Sequence, residues 1–154
     1  MPPFTQDQFI VEERGQDDAC GPAQTLWISE PGGLTQFGAN IEILQPGSRS
    51  SLKHWHAAED EMVYVLEGEV TLIEGDVETL LRLGDAATFG AGVAVGHYLH
   101  NRSASPTRCL IVGTRAPIYT ISYPDHDRVC QRDRSLPDDI WTDGRGSLAS
   151  NPYR

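Results

Sequence analysis

Hydrophobic residues along this chain recur mostly at every second position or in short unbroken runs, and rarely at the 3.6-residue spacing of a helix. Eight stretches read as strands: Thr35 to Leu44, Ser51 to His56, Glu61 to Gly68, Glu69 to Glu74, Val77 to Leu83, Ala86 to Gly90, Val93 to Asn101 and Thr107 to Thr114. Gly, Pro, Asp or Asn separates them, and Gly75-Asp76 between two of them suits a tight hairpin with glycine at positive φ. Many short strands in close succession predict an all-β sandwich or barrel. After Pro117 the chain becomes polar and rich in Pro, Gly, Asp and Arg, which predicts an irregular extension wrapped on the barrel or on a partner subunit.

Composition narrows the function. A chain of 154 residues is the size of one domain with one substantial core. Its 22 acidic against 12 basic residues leave a formal net charge of -10, which repels nucleic-acid backbones and anionic lipid. No basic segment is followed by an apolar run, so neither a secretory leader nor a membrane span is expected, and a cytoplasmic location is the default expectation. Cys20, Cys109 and Cys130 are far apart and lack CxxC spacing, so they are expected as reduced thiols.

The chemistry concentrates in HWHAAEDEMVYVLEG, from His54 to Gly68. Residues i and i+2 of a strand share a face, so His54 and His56 present two imidazoles together while Lys53 and Trp55 point the other way. By the same parity His97 and His100, three apart, cannot both face inward.

Two blocks together resemble the cupin superfamily. The first is Gly47, His54-x-His56, Glu61 and Gly68; the second is Gly84, Gly92, His97 and Asn101. Gly90 stands where the second motif has proline, and four residues rather than two separate Gly92 from His97, while the three-residue spacing from His97 to Asn101 is intact. The resemblance covers roughly residues 34–114 and implies a single double-stranded β-helix, or jelly-roll, barrel, with residues 1–33 as an N-terminal extension holding a barrel strand plus a loop and 115–154 as a C-terminal extension.

It also implies that His54, His56, Glu61 and His97 hold one divalent transition metal. Of the neighbouring acids, Glu59 and Asp60 are then solvated turn residues, and His126 lies outside both motifs as a surface or interface residue. Three imidazoles and a carboxylate would saturate tetrahedral zinc but leave two positions open on an octahedral ion, so Fe, Mn or Ni is favoured over Zn.

Within the superfamily the chain is similar to short single-domain bacterial cupins described as sugar-phosphate-isomerase-like or auxin-binding-like. An isomerase would use the metal as a Lewis acid and needs a base, plus cations such as Arg49, Arg82, Arg102, Arg108 or Arg115 for a phosphate. If the strand from Thr35 turns Gln36, Asn40 and Glu42 inward, Glu42 is a base candidate; if it turns Phe37, Ile41 and Ile43 inward, it is not, and apolar burial favours the second. The metal's neighbours would then be mainly apolar, which suits an Fe(II) dioxygenase of a small organic substrate; a non-catalytic ligand-binding cupin is the third reading. The partner is in each case a small molecule. Outward-facing Trp55, Tyr64 and Tyr98 predict a homodimer with the tail packed on the neighbour.

Overall fold

The computed structural model describes residues 3–154. Its regular elements are almost all strands: β1 (Ile10–Arg14), β2 (Ala23–Trp27), β3 (Phe37–Leu44), β4 (Trp55–His56), β5 (Glu61–Glu67), β6 (Glu69–Glu74) and β7 (Val77–Arg82). They continue as β8 (Ala86–Phe89), β9 (His97–His100), β10 (Thr107–Thr114), β11 (Ile118–Tyr123), β12 (Arg128–Asp133) and β13 (Ile140–Thr142). Among the described residues two short 3-10 turns, Gln6–Gln8 and Pro124–His126, are the helical content. Among the described residues no helix is long and apolar enough to cross a membrane.

All pairings are antiparallel. One layer is a six-stranded sheet in the order β1-β2-β3-β10-β5-β8. The other is made of a four-stranded sheet, β13-β12-β11-β4, and a three-stranded one, β7-β6-β9. An isolated bridge between His54 and His97 joins these two smaller sheets, giving the double-layered jelly roll that the resemblance implies and an all-β arrangement that the strand pattern predicts. Between the layers lies an aliphatic core, with Leu44, Val63, Val65 and Cys109 from the large sheet against Val70, Leu72 and Leu99 from β6 and β9. A second cluster under β11 and β12 gathers Cys20, Leu52, Tyr119, Ile121, Tyr123 and Cys130. All three cysteines are free and buried.

Two turns show why the chain reverses where it does. Gly75 has φ 57° in the β6–β7 hairpin, as its sequence predicts. Gly68, at φ 77°, sits so close to β10 that a Cβ there would lie 3.1 Å from the Pro106 carbonyl oxygen.

The segment beyond Pro117 is more regular than its polarity suggests. It supplies β11, β12 and β13, and the last residues fold back on their own chain through a hydrogen bond between Tyr153 and Leu52. Strand β3 also corrects an expectation. Register places Glu42 opposite Cys109 and Asn40 opposite Ile111, with Leu44 opposite Thr107, so the Asn40, Glu42 and Leu44 side faces the core. Phe37, Ile41 and Ile43 lie on the outer face, where Phe37 is exposed.

Candidate metal centre

Strand geometry brings the four nominated residues to one end of the space between the layers. His54 and His97 face each other across their bridge, exchanging N–H···O=C bonds of 3.2 and 2.9 Å, so their rings share a side with centroids 5.0 Å apart. His56, two residues on, shares that face through β4, and Glu61 enters from the first position of β5. Ligand atoms of His54, His56 and Glu61 all lie within 4.8 Å of one another. His54 Nε2 stands 3.2 Å from His56 Nε2, and His56 Nε2 is 3.7 Å from Glu61 Oε2. His97 Nε2 is 3.5 Å from the other Glu61 oxygen, and its ring is stacked flat on Phe89 at 3.6 Å.

The protonation states suit a cation. The Leu52 carbonyl, which can only accept, lies 2.9 Å from His54 Nδ1, so that nitrogen carries the proton and Nε2 offers its lone pair. Burial pushes the His54 imidazolium down to about 4 and also lowers His56. Burial works against ionisation of Glu61, yet the surrounding His97, His54 and His56 hold its carboxyl below the usual range. Two neutral imidazoles and a carboxylate are what a divalent ion requires. His56 Nδ1 and both nitrogens of His97 are buried without a hydrogen-bond partner, an arrangement that costs free energy unless something else satisfies them. Two neighbouring ligands on an ion with bonds of about 2.1 Å stand about 3 Å apart, close to the separation of the two Nε2 atoms. The residues fit a metal.

Around this cluster the wall mixes polar and apolar groups, so the mainly apolar setting expected from strand parity holds only in part. A cavity of about 210 Å³ is lined by Asn40, Glu42, Ser50 and Ser51 and by the apolar Trp27 and Ile111, together with His54 and Glu61. Glu42 is 7% exposed; burial pushes its carboxyl up to about 8, against the pull of Arg14 at 3.3 Å. An adjoining cavity of about 330 Å³ shares Asn40, Glu61 and Ile111 and carries Arg115, Arg132 and Arg134. Its floor is Gly38, where a Cβ would come within 3.3 Å of the Arg115 guanidinium, paired with Gly113 in the next strand. Each arginine also has a carboxylate partner: Glu30, Asp139 and Glu59 respectively.

Glu59 is not the solvated turn acid its position suggests. It is 7% exposed, its Oε1 accepts from the Ala116 N–H and from Arg134 Nη2, and its Oε2 lies 3.7 Å from the orphaned His56 Nδ1. That carboxylate faces the His56 ring without hydrogen-bonding to it. Asp60 instead accepts from the exposed Ala91 N–H. His100 points to the opposite side of β9 from His97, beside Arg102, and His126 is exposed. Asn101 is a structural lock: fully buried, it donates to the Leu44 and Ser105 carbonyls. Glu42 and Glu59 share one hint in the sequence, an acid placed among residues whose parity or spacing aims them at the histidines.

Residues 40–113 match the profile of the cupin domain. A sugar phosphate isomerase from a cupin superfamily, of Silicibacter pomeroyi, superposes with a TM-score of 0.85 at 34% identity over 97% of each chain. A predicted oxalate decarboxylase of Thermotoga maritima superposes at 0.60 with 20% identity over 73% of this chain and 97% of that one. A polyketide cyclase of Streptomyces resistomycificus gives 0.60 at 20% identity over 74% of this chain and 79% of that one. The last two share the fold alone. No curated protein matches the chain.

Proposed function

This chain belongs to the cupin superfamily, and on that premise we propose that it is a divalent-metal-dependent isomerase of small sugar phosphates, with His54, His56, Glu61 and His97 as ligands and Glu42 as base. The observation that carries the reading is the inward turn of β3, which puts a buried carboxyl in the same cavity as His54 and Glu61.

A divalent ion bound there, with Fe, Mn or Ni favoured and Zn able to serve, supplies Lewis acidity that draws electrons from a substrate carbonyl. The rest falls to the chain. Interconverting an aldose and a ketose moves one proton between adjacent carbons and one between their oxygens, with no oxidant or reductant. Glu42 takes the carbon-bound proton and returns it to the neighbouring carbon; a carboxyl that titrates near neutrality does both well. Arg14, 3.3 Å away, steadies its charged form. The adjoining cavity receives the phosphate on guanidinium N–H groups of Arg115, Arg132 and Arg134 that their carboxylate partners leave free, with Gly38 leaving room for the Arg115 guanidinium itself. The likeness to the Silicibacter pomeroyi isomerase supports the same choice.

The test is anaerobic turnover of aldose and ketose phosphates by protein reconstituted with Mn(II) or Zn(II), followed by NMR. Oxygen-independent isomerisation is expected. Activity with Fe(II) only, coupled to O2 uptake, would instead support the dioxygenase, and stabilisation by a sugar phosphate without turnover would support a binding protein.

We further propose that the outer face of the large sheet joins two copies. Phe37, Met62, Tyr64 and Val112 lie on that face, and Phe37, Met62 and Val112 line a shallow apolar hollow of about 530 Å³. Because the tail is spent on its own chain, the interface rests on this sheet face rather than on the tail. Light scattering should give a dimer mass, and Met62→Glu a monomer.

A further inference from the structure

We infer that Tyr153, in the C-terminal tail, is a positioning residue for the metal ligand His54: its hydroxyl holds the Leu52 backbone whose carbonyl fixes the imidazole tautomer. The inference rests on the reading of His54 as a ligand.

Leu52 lies in a bend between the bridges at Arg49 and His54 and belongs to no strand, yet it is 7% exposed. A buried backbone N–H without a ladder partner needs another acceptor. The one it has is Tyr153 Oη, 3.2 Å away and 101 positions along the chain. On the other side of the same residue, the Leu52 carbonyl accepts from His54 Nδ1. Both polar groups of Leu52 are thus fixed, and with them the direction of the carbonyl that keeps the proton on Nδ1 and the lone pair on Nε2.

Tyr153 is itself anchored. Its N–H donates to Asn151 Oδ1 at 2.9 Å, and the preceding Ser150 carbonyl accepts from Arg128 Nε at 3.0 Å. Its ring meets Tyr123 edge-on at 5.7 Å, and Tyr123 lies 5.7 Å from the His54 ring. Without the hydroxyl, the Leu52 N–H would be buried and unpaired, so the bend must turn toward water and carry its carbonyl away. Ser51 Oγ, 3.0 Å from His54 Nδ1, would then be the remaining partner. A hydroxyl donates as readily as it accepts, so it cannot hold one tautomer. Only the fraction of molecules with Nε2 free binds metal, and the apparent affinity falls by that fraction.

The experiment uses the full chain with 15N-labelled histidine. In the metal-free wild type, long-range 1H–15N spectra should show His54 as the Nδ1–H tautomer. Tyr153→Phe keeps the ring and its packing but should give a mixture of tautomers, with Zn(II) affinity in chelator competition weaker by about tenfold, the low end for an outer partner of a ligand. Tyr98→Phe, whose ring lies under Arg49 on the outer side of β9, should change neither. A Tyr153→Phe protein with the wild-type tautomer overturns the inference, whatever its melting temperature, and so does a wild type without the Nδ1–H form. A wild type that shows the tautomer, with its loss in Tyr153→Phe, but takes up no zinc would sink the metal site while leaving the hold of Tyr153 on the His54 tautomer standing.

Discussion

The two faces of the large sheet are made of the same strands and alternate residues, yet their chemistry is inverted. At the site end the inner face carries Asn40, Glu42 and Glu61, polar groups that are buried or half-buried in the cavities beside the histidines. The outer face over the same strands carries Phe37, Met62 and Tyr64, all more than a third exposed. Deeper in the barrel the inner face returns to the ordinary pattern with Leu44, Val63 and Val65. Hydrophobic alternation reports that a strand has two faces; which one is buried depends on what the buried one is for. On the proposed reading the inner face buries a carboxyl for the reaction, and the outer face exposes apolar side chains for a second copy.

Substitutions at the two faces should separate these roles. The largest loss is expected from Glu61→Gln, which removes the one charged donor of the cluster. Metal affinity in chelator competition should fall by a hundredfold or more, beyond what outer partners contribute, and activity with it. Glu42→Gln should keep metal stoichiometry and lose turnover by about 10²–10⁴, the range of a general base; equal losses of metal would move Glu42 into the ligand set. Leu44→Ala, at 0% exposure, should cost about 2–5 kcal/mol in urea unfolding, whereas Leu66→Ala, at 37% exposure on the outer side, should cost within about 1 kcal/mol in the monomer.

The smallest effect is a pH dependence. The Glu42 carboxyl is raised in the folded chain from the ordinary 4.5 to about 8, so between these values the folded state holds a proton that the unfolded state has released. Stability from this group therefore declines as pH rises from about 4.5 toward 8 and levels off above. Melting temperatures of metal-free Glu42→Gln and wild type should accordingly diverge across that window, with the variant gaining. Curves that stay parallel would mean the carboxyl is not held neutral.

Much of this was legible in the residues. Period-two patterns marked β3 and β5 to β8 nearly to their ends, and strand parity separated His97 from His100. The tail was harder, although Tyr119, Ile121 and Tyr123 do alternate in β11, because β12 buries only Cys130 and reads as polar. The sign of β3 was open for a physical reason: parity pairs Asn40 with Glu42 and Ile41 with Ile43, and the usual rule that apolar residues go inside picks the wrong pair when the inside holds a cavity that polar groups help to line. Glu59 was hidden by its turn. Nothing local shows that an acid between two strands is covered by Arg134 from 75 residues away.

The central claim is that His54, His56, Glu61 and His97 surround one divalent ion. Crystals grown with Mn(II) and measured on both sides of the manganese absorption edge test it directly. One anomalous peak per chain is expected among His54 Nε2, His56 Nε2, His97 Nε2 and the Glu61 carboxylate, and it should vanish in Glu61→Gln. No peak there, or a peak that persists without the Glu61 charge, would contradict the account.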